Sequence, residues 1–471
     1  MGMWYFLHDF ATRRLDGIPT MRDGGEAFMT VLFFLRIMVV FCLVLGTGGA
    51  AGALSIPLLA PKPLAGDWER IEPLLEKILN ENILSFWLPR TLDSEHGGYY
   101  LNHDIQGRPK GPAKKQLVVQ ARCVWFYSRL INEGRGTGEI RQAALHGYEF
   151  LRDKMWDKQH GGFYWEVDET GTNATMPDKH LYGQAFGLYA LSEYAMAFQD
   201  AEALGLAQQL FRLLDFTAHD STHGGYFESF QRDWSYHADP TGRSYMGVPH
   251  NLKLMNTHLH LMEAMTAYVR ASADPVGRER LRELITIQSN AVVRKKLGAC
   301  TDQYTWDWTP LEGKAQDRVS YGHDLENIWL LMEACEAAGI TGSPLRDLYK
   351  TLFAYSLQYG YDEKQGGFYD SGPFHQSADR RGKVFWVQAE ALVAALKMYQ
   401  WTGEEVYYRV FDQTLNWINT RQADWQYGDW FSTISESGDP TGDKANAWKG
   451  PYHNGRAMLE CLKVVKKVPK P

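Results

Sequence analysis

The sequence predicts an all-α protein: an (α/α)6 barrel of six helix pairs with short Gly-Gly-aromatic β-hairpins. Two observations carry this. A short aromatic glycine element recurs at a period near 64 residues, and the stretches between copies space apolar residues three and four apart.

The copies are His96-Gly97-Gly98-Tyr99-Tyr100, His160-Gly161-Gly162-Phe163-Tyr164, His223-Gly224-Gly225-Tyr226-Phe227 and Gln365-Gly366-Gly367-Phe368-Tyr369, with a weaker Tyr427-Gly428-Asp429-Trp430-Phe431. Their first glycines, at 97, 161, 224, 366 and 428, lie 64, 63, 142 and 62 residues apart. The long interval holds two periods, and the degenerate Tyr304-Thr305-Trp306-Asp307-Trp308 is expected to be the missing copy. Gly-Gly permits a tight turn between short strands, so the copies read as hairpins at one end of the barrel rather than as a sugar-binding code. Leu181 to Ala197, Leu259 to Val269, Asn327 to Ala338, Val387 to Tyr399 and Arg456 to Val465 read as helices. Each interval has room for two helices. Six pairs that close on themselves make a toroid; an open superhelix is the alternative, but solenoid repeats are usually shorter.

Residues 64–471 are expected to form this barrel and residues 1–63 an N-terminal extension. Ile37 to Ala60 is uncharged, follows Arg36 and contains Ala51-Gly52-Ala53, a usable cleavage tripeptide. It reads as a cleaved signal or as a membrane anchor through residues 29–60, with Pro61-Lys62-Pro63 as the linker. Export implies a periplasmic or membrane-anchored protein; a start downstream of the segment implies a cytoplasmic one. A net charge of −7, with no basic run longer than Arg294-Lys295-Lys296, argues against a nucleic-acid partner. Five scattered cysteines form no C-x-x-C pair and suggest neither a zinc site nor a disulfide framework. A monomer or weak homodimer is expected.

Five segments carry too many polar groups for core. In Asn256-Thr257-His258-Leu259-His260-Leu261-Met262-Glu263 the two histidines resemble a metal H-x-H pair, but on a helix they lie about 200° apart. Asn256, His260 and Glu263 share one face, which reads as one functional histidine with neighbours that orient it. In Ser320-Tyr321-Gly322-His323-Asp324-Leu325-Glu326-Asn327, His323 and Glu326 stand at i and i+3, where a carboxylate can hold an imidazole's tautomer. The plain alternative is a solvated histidine near a helix start. Trp448-Lys449-Gly450-Pro451-Tyr452-His453-Asn454-Gly455-Arg456 places a histidine after a Gly-Pro break, with a tryptophan nearby that could wall a sugar. Arg122, within Gln120–Phe126, and Trp386 and Glu390, within Phe385–Glu390, interrupt otherwise apolar helix faces.

These residues resemble a known family. The runs Ser320–Glu326, Trp386–Glu390 and Trp448–Arg456 are similar to those of cellobiose 2-epimerases. Gln120–Trp125, Asn256–Glu263 and the Gly-Gly hairpins resemble the wider N-acylglucosamine 2-epimerase superfamily, which includes mannose-type aldose–ketose isomerases. The resemblance runs from about Trp68 to the C-terminus. It implies a small-molecule sugar substrate, no cofactor and no metal. By resemblance, His323 and His453 are the general acid/base pair and Glu326 orients His323. His260 assists ring opening with Asn256 beside it, and Arg122 stabilises a cis-enediolate. Trp386 and Trp448 are stacking walls, and Tyr321 and Glu390 also bind substrate. The chemistry agrees: a proton α to a carbonyl is weakly acidic, so the reaction needs a base and a stabilised oxyanion. Inverting the centre needs a second group on the opposite face. The rivals are a glycoside hydrolase on the same barrel, drawing its two carboxylates from Asp302, Asp307 or Glu390, and a carbohydrate-binding scaffold without catalysis.

Overall fold

The computed structural model describes residues 65–467. The expected extension at 1–63, with its hydrophobic segment at 29–60, lies outside them. No helix among the described residues is long and apolar enough to cross a membrane.

Twelve long helices form the frame among the described residues: α1 (Ala65–Lys77), α2 (Leu117–Asn132), α3 (Gly138–Phe150), α4 (Leu181–Phe198), α5 (Ala201–Thr217), α6 (Met255–Ser272), α7 (Pro275–Thr286), α8 (Tyr321–Ala337), α9 (Arg346–Gly360), α10 (Phe385–Thr402), α11 (Glu405–Trp417) and α12 (Tyr452–Val465). The even-numbered helices each touch the next, and α12 touches α2, so six inner helices close a ring. Each odd-numbered helix packs outside, α1 on α12 and the others on the preceding inner helix. The sequence follows this division. Inner helices such as α4 are buried on nearly every side and are apolar all round, whereas outer helices bury one stripe. Side-chain caps start several of the outer helices. Asp200 accepts from Glu202 and Ala203 N–H, and Asp274, followed by Pro275, does the same for Val276 and Gly277.

The hairpins sit where an inner helix begins. Leu92 bridges to Tyr99, Trp156 to Phe163, His219 to Tyr226, Tyr361 to Phe368 and Ala423 to Trp430. Each loop is locked by an aspartate four residues before the first glycine. Its carboxylate accepts backbone N–H groups of the turn and pairs with a buried lysine at 2.6–3.0 Å: Asp93–Lys115, Asp157–Lys179, Asp220–Lys253, Asp362–Lys383 and Asp424–Lys444. The following inner helix clamps the hairpin from the other side. Gln120, Gln184 and Gln388 accept the N–H of Tyr99, Phe163 and Phe368 at 2.8 Å, and His258 accepts that of Tyr226 at 3.0 Å. The second glycine is required twice over. Gly98 has φ +69°, and a Cβ there would meet Gln120 Oε1 at 2.7 Å.

The missing copy is not at Tyr304–Trp308. It is the pair Val293–Arg294 with Ala299–Cys300, turning at Gly298 (φ +81°), with Asp324 in the clamping position accepting Cys300 N–H at 2.9 Å. Ala299 and Cys300 replace the second glycine and the aromatic, which erases the pattern from the sequence. Tyr304–Trp308 belongs to the preceding unit: Gln303–Tyr304 pairs with Lys253–Leu254, and the Trp308 indole donates to Gly224 O at 3.1 Å. Cys123, Cys300, Cys335 and Cys461 are buried and free.

Candidate active site

The hairpin end is also where the polar segments converge. Because all six inner helices start there, residues in their first two turns face one axial opening. Eight of the ten expected residues, Arg122, Asn256, His260, His323, Glu326, Trp386, Trp448 and His453, line a single cavity of about 490 Å3. Met246 and Tyr182 complete part of its wall.

Tyr321 does not join them. It lies two residues from His323 and so about 200° round the helix; it is fully buried, with its ring against Gly360 and its hydroxyl beside Gly372. Glu390 is also displaced from its expected role. It lies beneath the cavity, fully buried, with Oε1 2.6 Å from His453 Nδ1 and 2.7 Å from an Arg456 N–H donor, while Oε2 accepts the Trp329 indole N–H at 2.9 Å. It contacts His453 and does not line the cavity.

The expected His323–Glu326 pair does not form. Glu326 Oε1 accepts from Arg456 at 2.7 Å, and the His323 ring packs against Trp386, tilted by 38° with centroids 4.8 Å apart. The i, i+3 carboxylate–imidazole pair that does form is in α6, where His260 Nδ1 lies 3.1 Å from Glu263 Oε2. His258 faces away from the cavity, as the helical angle requires. Its Nε2 holds Tyr226 N–H and its Nδ1 lies 2.8 Å from Leu254 O, so both nitrogens are used on backbone.

Arg456 ties the floor together. It ends the Trp448–Arg456 run, and it pairs with Glu263, Glu326 and Glu390 and contacts the Tyr452 hydroxyl. Its signal was the i, i+3 spacing from His453, which puts both on one helix face. Ligand atoms of Glu326, Glu390 and His453 lie within 4.8 Å of one another, a spacing that could hold a metal ion. The Arg456 guanidinium already donates to one oxygen of each glutamate, so it stands where a cation would.

The electrostatics follow from one cation among three buried carboxyls. Burial works to raise Glu263, but Arg456 and His260 outweigh it and hold that carboxyl at about 2. Burial and the neighbouring Glu390 push Glu326 up to about 7, and burial likewise raises Glu390 against the pull of Arg456. The group therefore keeps a proton near neutral pH. The imidazoles are pushed the other way. Burial, then His260, brings His323 down to about 3, and burial with Arg122 and Arg456 takes His453 well below its ordinary value. Arg122 donates to Trp448 O at 2.8 Å and to the Tyr182 hydroxyl at 3.2 Å, and has no carboxylate partner among the described residues. It offers the cavity an uncommitted positive charge.

Residues 98–457 match the family described as N-acylglucosamine 2-epimerase (GlcNAc 2-epimerase). The chain belongs to that family. It is a carbohydrate 2-epimerase or isomerase family enzyme. It is 32% identical to a cellobiose 2-epimerase of Dictyoglomus turgidum over 393 residues, covering 82% of this chain and 96% of that one. It is 26% identical to a D-mannose isomerase of Marinomonas mediterranea, over 82% and 95% of the two chains. Among solved structures, the cellobiose 2-epimerase of Spirochaeta thermophila superposes with a TM-score of 0.76 at 33% identity, covering 87% of this chain and all of that one.

Proposed function

We propose that the enzyme inverts C2 of a reducing sugar, interconverting glucose and mannose at the reducing end of a β-linked disaccharide such as cellobiose. The observation that carries this reading is a pair of imidazoles, His323 and His453, in one cavity with an unpaired guanidinium. One imidazole removes the C2 proton of the opened sugar, Arg122 stabilises the cis-enediolate, and the other imidazole returns a proton to the opposite face. His260, steadied by Glu263, assists ring opening beside Asn256.

Two neutral imidazoles cannot complete this alone, because one must arrive as the acid. The carboxyl group cluster supplies the missing proton: shared between Glu390 and His453, it makes the pair equivalent to an imidazolium–carboxylate. Each turnover moves one proton off carbon and one onto it, and the proton inventory of the site is restored by exchange with solvent. Glycoside hydrolysis would need two carboxylates flanking a scissile bond, whereas the glutamates here lie in the floor, tied to Arg456.

The disaccharide preference rests on the rim. Trp448 is 43% exposed beside the cavity, which leaves a ring face for a second sugar. The similarity to cellobiose 2-epimerases points the same way. Incubation with cellobiose, N-acetylmannosamine and mannose tests the reading. Cellobiose is expected to give glucosylmannose without free glucose, and His323→Asn or His453→Asn is expected to abolish the conversion. Turnover of N-acetylmannosamine alone, or release of glucose, would overturn it.

A further inference from the structure

A second cavity, of about 340 Å3, lies on the other side of the wall that His323 and Trp386 give the first; these two residues line both. Its remaining walls are largely polar and include Asp302, Gln303, Ser320, Arg318 and Ser371. The two imidazoles of the acid/base pair differ in this respect. His453 leans on Glu390 in the buried floor and borders only the first cavity. The His323 ring makes no hydrogen bond among the described residues and faces both spaces.

Asp302 is held where it can serve that space. Its Oδ1 accepts Asn256 N–H at 3.0 Å and its carbonyl accepts Met255 N–H at 2.7 Å, fixing it at the start of α6. Burial, opposed by the Asn256 N–H and reinforced by Glu228, brings its carboxyl up to about 6, so it can take and release a proton near neutrality. Nothing in the reaction as described above uses it.

We propose that the second cavity is a proton-exchange port for His323, in which water and the Asp302 carboxyl let the imidazole trade its proton with solvent while a sugar fills the first cavity. Abstraction leaves the C2 proton on one imidazole, beneath a bound sugar that covers the direct route to bulk. From His323, that proton passes to cavity water and on to the Asp302 carboxylate. The resulting acid releases it to solvent, and a solvent proton reaches the ring by the reverse path. No bond to carbon changes in this exchange. Polar walls of this size suit ordered water, which makes two to four hydrogen bonds to such groups. Asp302 acts through His323 and does not touch the sugar.

The inference rests on the two-imidazole reading, and the test separates the two. Unlabelled disaccharide is incubated with the full chain in D2O, starting from the gluco and then the manno sugar. Deuterium at C2 of the recovered starting sugar is compared with epimer formed. Whichever direction has His323 as the abstracting base reports on the port. There Asp302→Asn, which keeps the acceptor for Asn256 N–H, lowers the ratio of wash-in to product by roughly tenfold, a fraction of the 10²–10⁴ that a positioned proton-transfer group contributes. The other direction, with His453 as base, keeps its wild-type ratio. Ser320→Leu narrows the same cavity at a side chain that makes no capping bond, and shifts the ratio the same way. An unchanged ratio in both directions, or an equal fall in both, overturns the port. If no sugar exchanges at C2 even with the wild-type protein, the two-imidazole reading fails and the port falls with it.

Discussion

Glu390→Gln isolates the support beneath His453. In the native floor Glu390 Oε1 meets His453 Nδ1 and Arg456, and Oε2 accepts the Trp329 indole N–H, so all three neighbours are donors or proton-sharing groups. A glutamine of the same shape offers one acceptor oxygen and one NH2 group. Whichever way it turns, an N–H meets another N–H, and the shared proton loses its anionic home. A hydrogen bond to a charged group contributes about 1.5–3 kcal/mol, and the imidazolium form of His453 loses that support. At 1.36 kcal/mol per decade, a loss of about 3 kcal/mol lowers kcat by roughly two orders of magnitude. KM changes little, since Glu390 lies below the cavity. The assay is the initial rate of epimer formation, with a thermal melt confirming that the variant is folded. A folded Glu390→Gln variant with kcat within roughly threefold of wild type, a change of under 1 kcal/mol, would refute the positioning role.

Other changes probe the remaining assignments. His258→Gln restores the residue used at the same place in three other hairpins and is expected to leave activity near wild type, whereas His260→Gln is expected to cost roughly a hundredfold, the low end for a proton-transfer group; equal losses would revive a metal-binding pair. Tyr321→Phe removes a buried hydroxyl that has no hydrogen-bond partner among the described residues and does not line the cavity; kcat and KM should not move, and Tm should hold or rise slightly. Asp324, raised to about 7 by burial, binds a proton in the folded state across the window from its unfolded value of 3.8 up to about 7, so its contribution to stability is lost as pH rises through that window. The ceiling on that loss is about 4 kcal/mol at 1.36 kcal/mol per pH unit. Asp324→Asn should therefore melt clearly higher than wild type at pH 8.5, by a smaller margin at pH 5, and nearly level with it only below the unfolded value of 3.8; a gain confined to acid pH would contradict the assignment.

The fold was legible because its two periods are local. Gly-Gly needs positive φ and close approach of a glutamine, and helical spacing of apolar residues survives divergence around it. The fourth hairpin was not legible, since Ala299 and Cys300 keep the geometry while losing both marks, and Trp306 and Trp308 imitate them nearby. The site was legible in its members more than in its wiring. Seven residues could be placed on helix starts that share one end of the barrel, with Trp448 in the loop just before the last of them. The wiring runs through Arg456, which reaches from α12 to helices α6, α8 and α10. Two His-x-x-Glu pairs look alike in sequence, and Arg456 binds both glutamates, yet Glu263 also meets His260 while Glu326 does not meet His323, a difference the spacing does not carry. Tyr321 was misplaced by adjacency in the chain, where the turn of the helix sets it on the opposite side. The aspartate–lysine locks went unread because each pair is split by about twenty residues or more.

The most direct test of the central claim is proton NMR of cellobiose incubated with the protein in D2O. The account predicts glucosylmannose anomeric signals with deuterium at C2, lost in His323→Asn and in His453→Asn. Release of glucose with no exchange at C2 would contradict it.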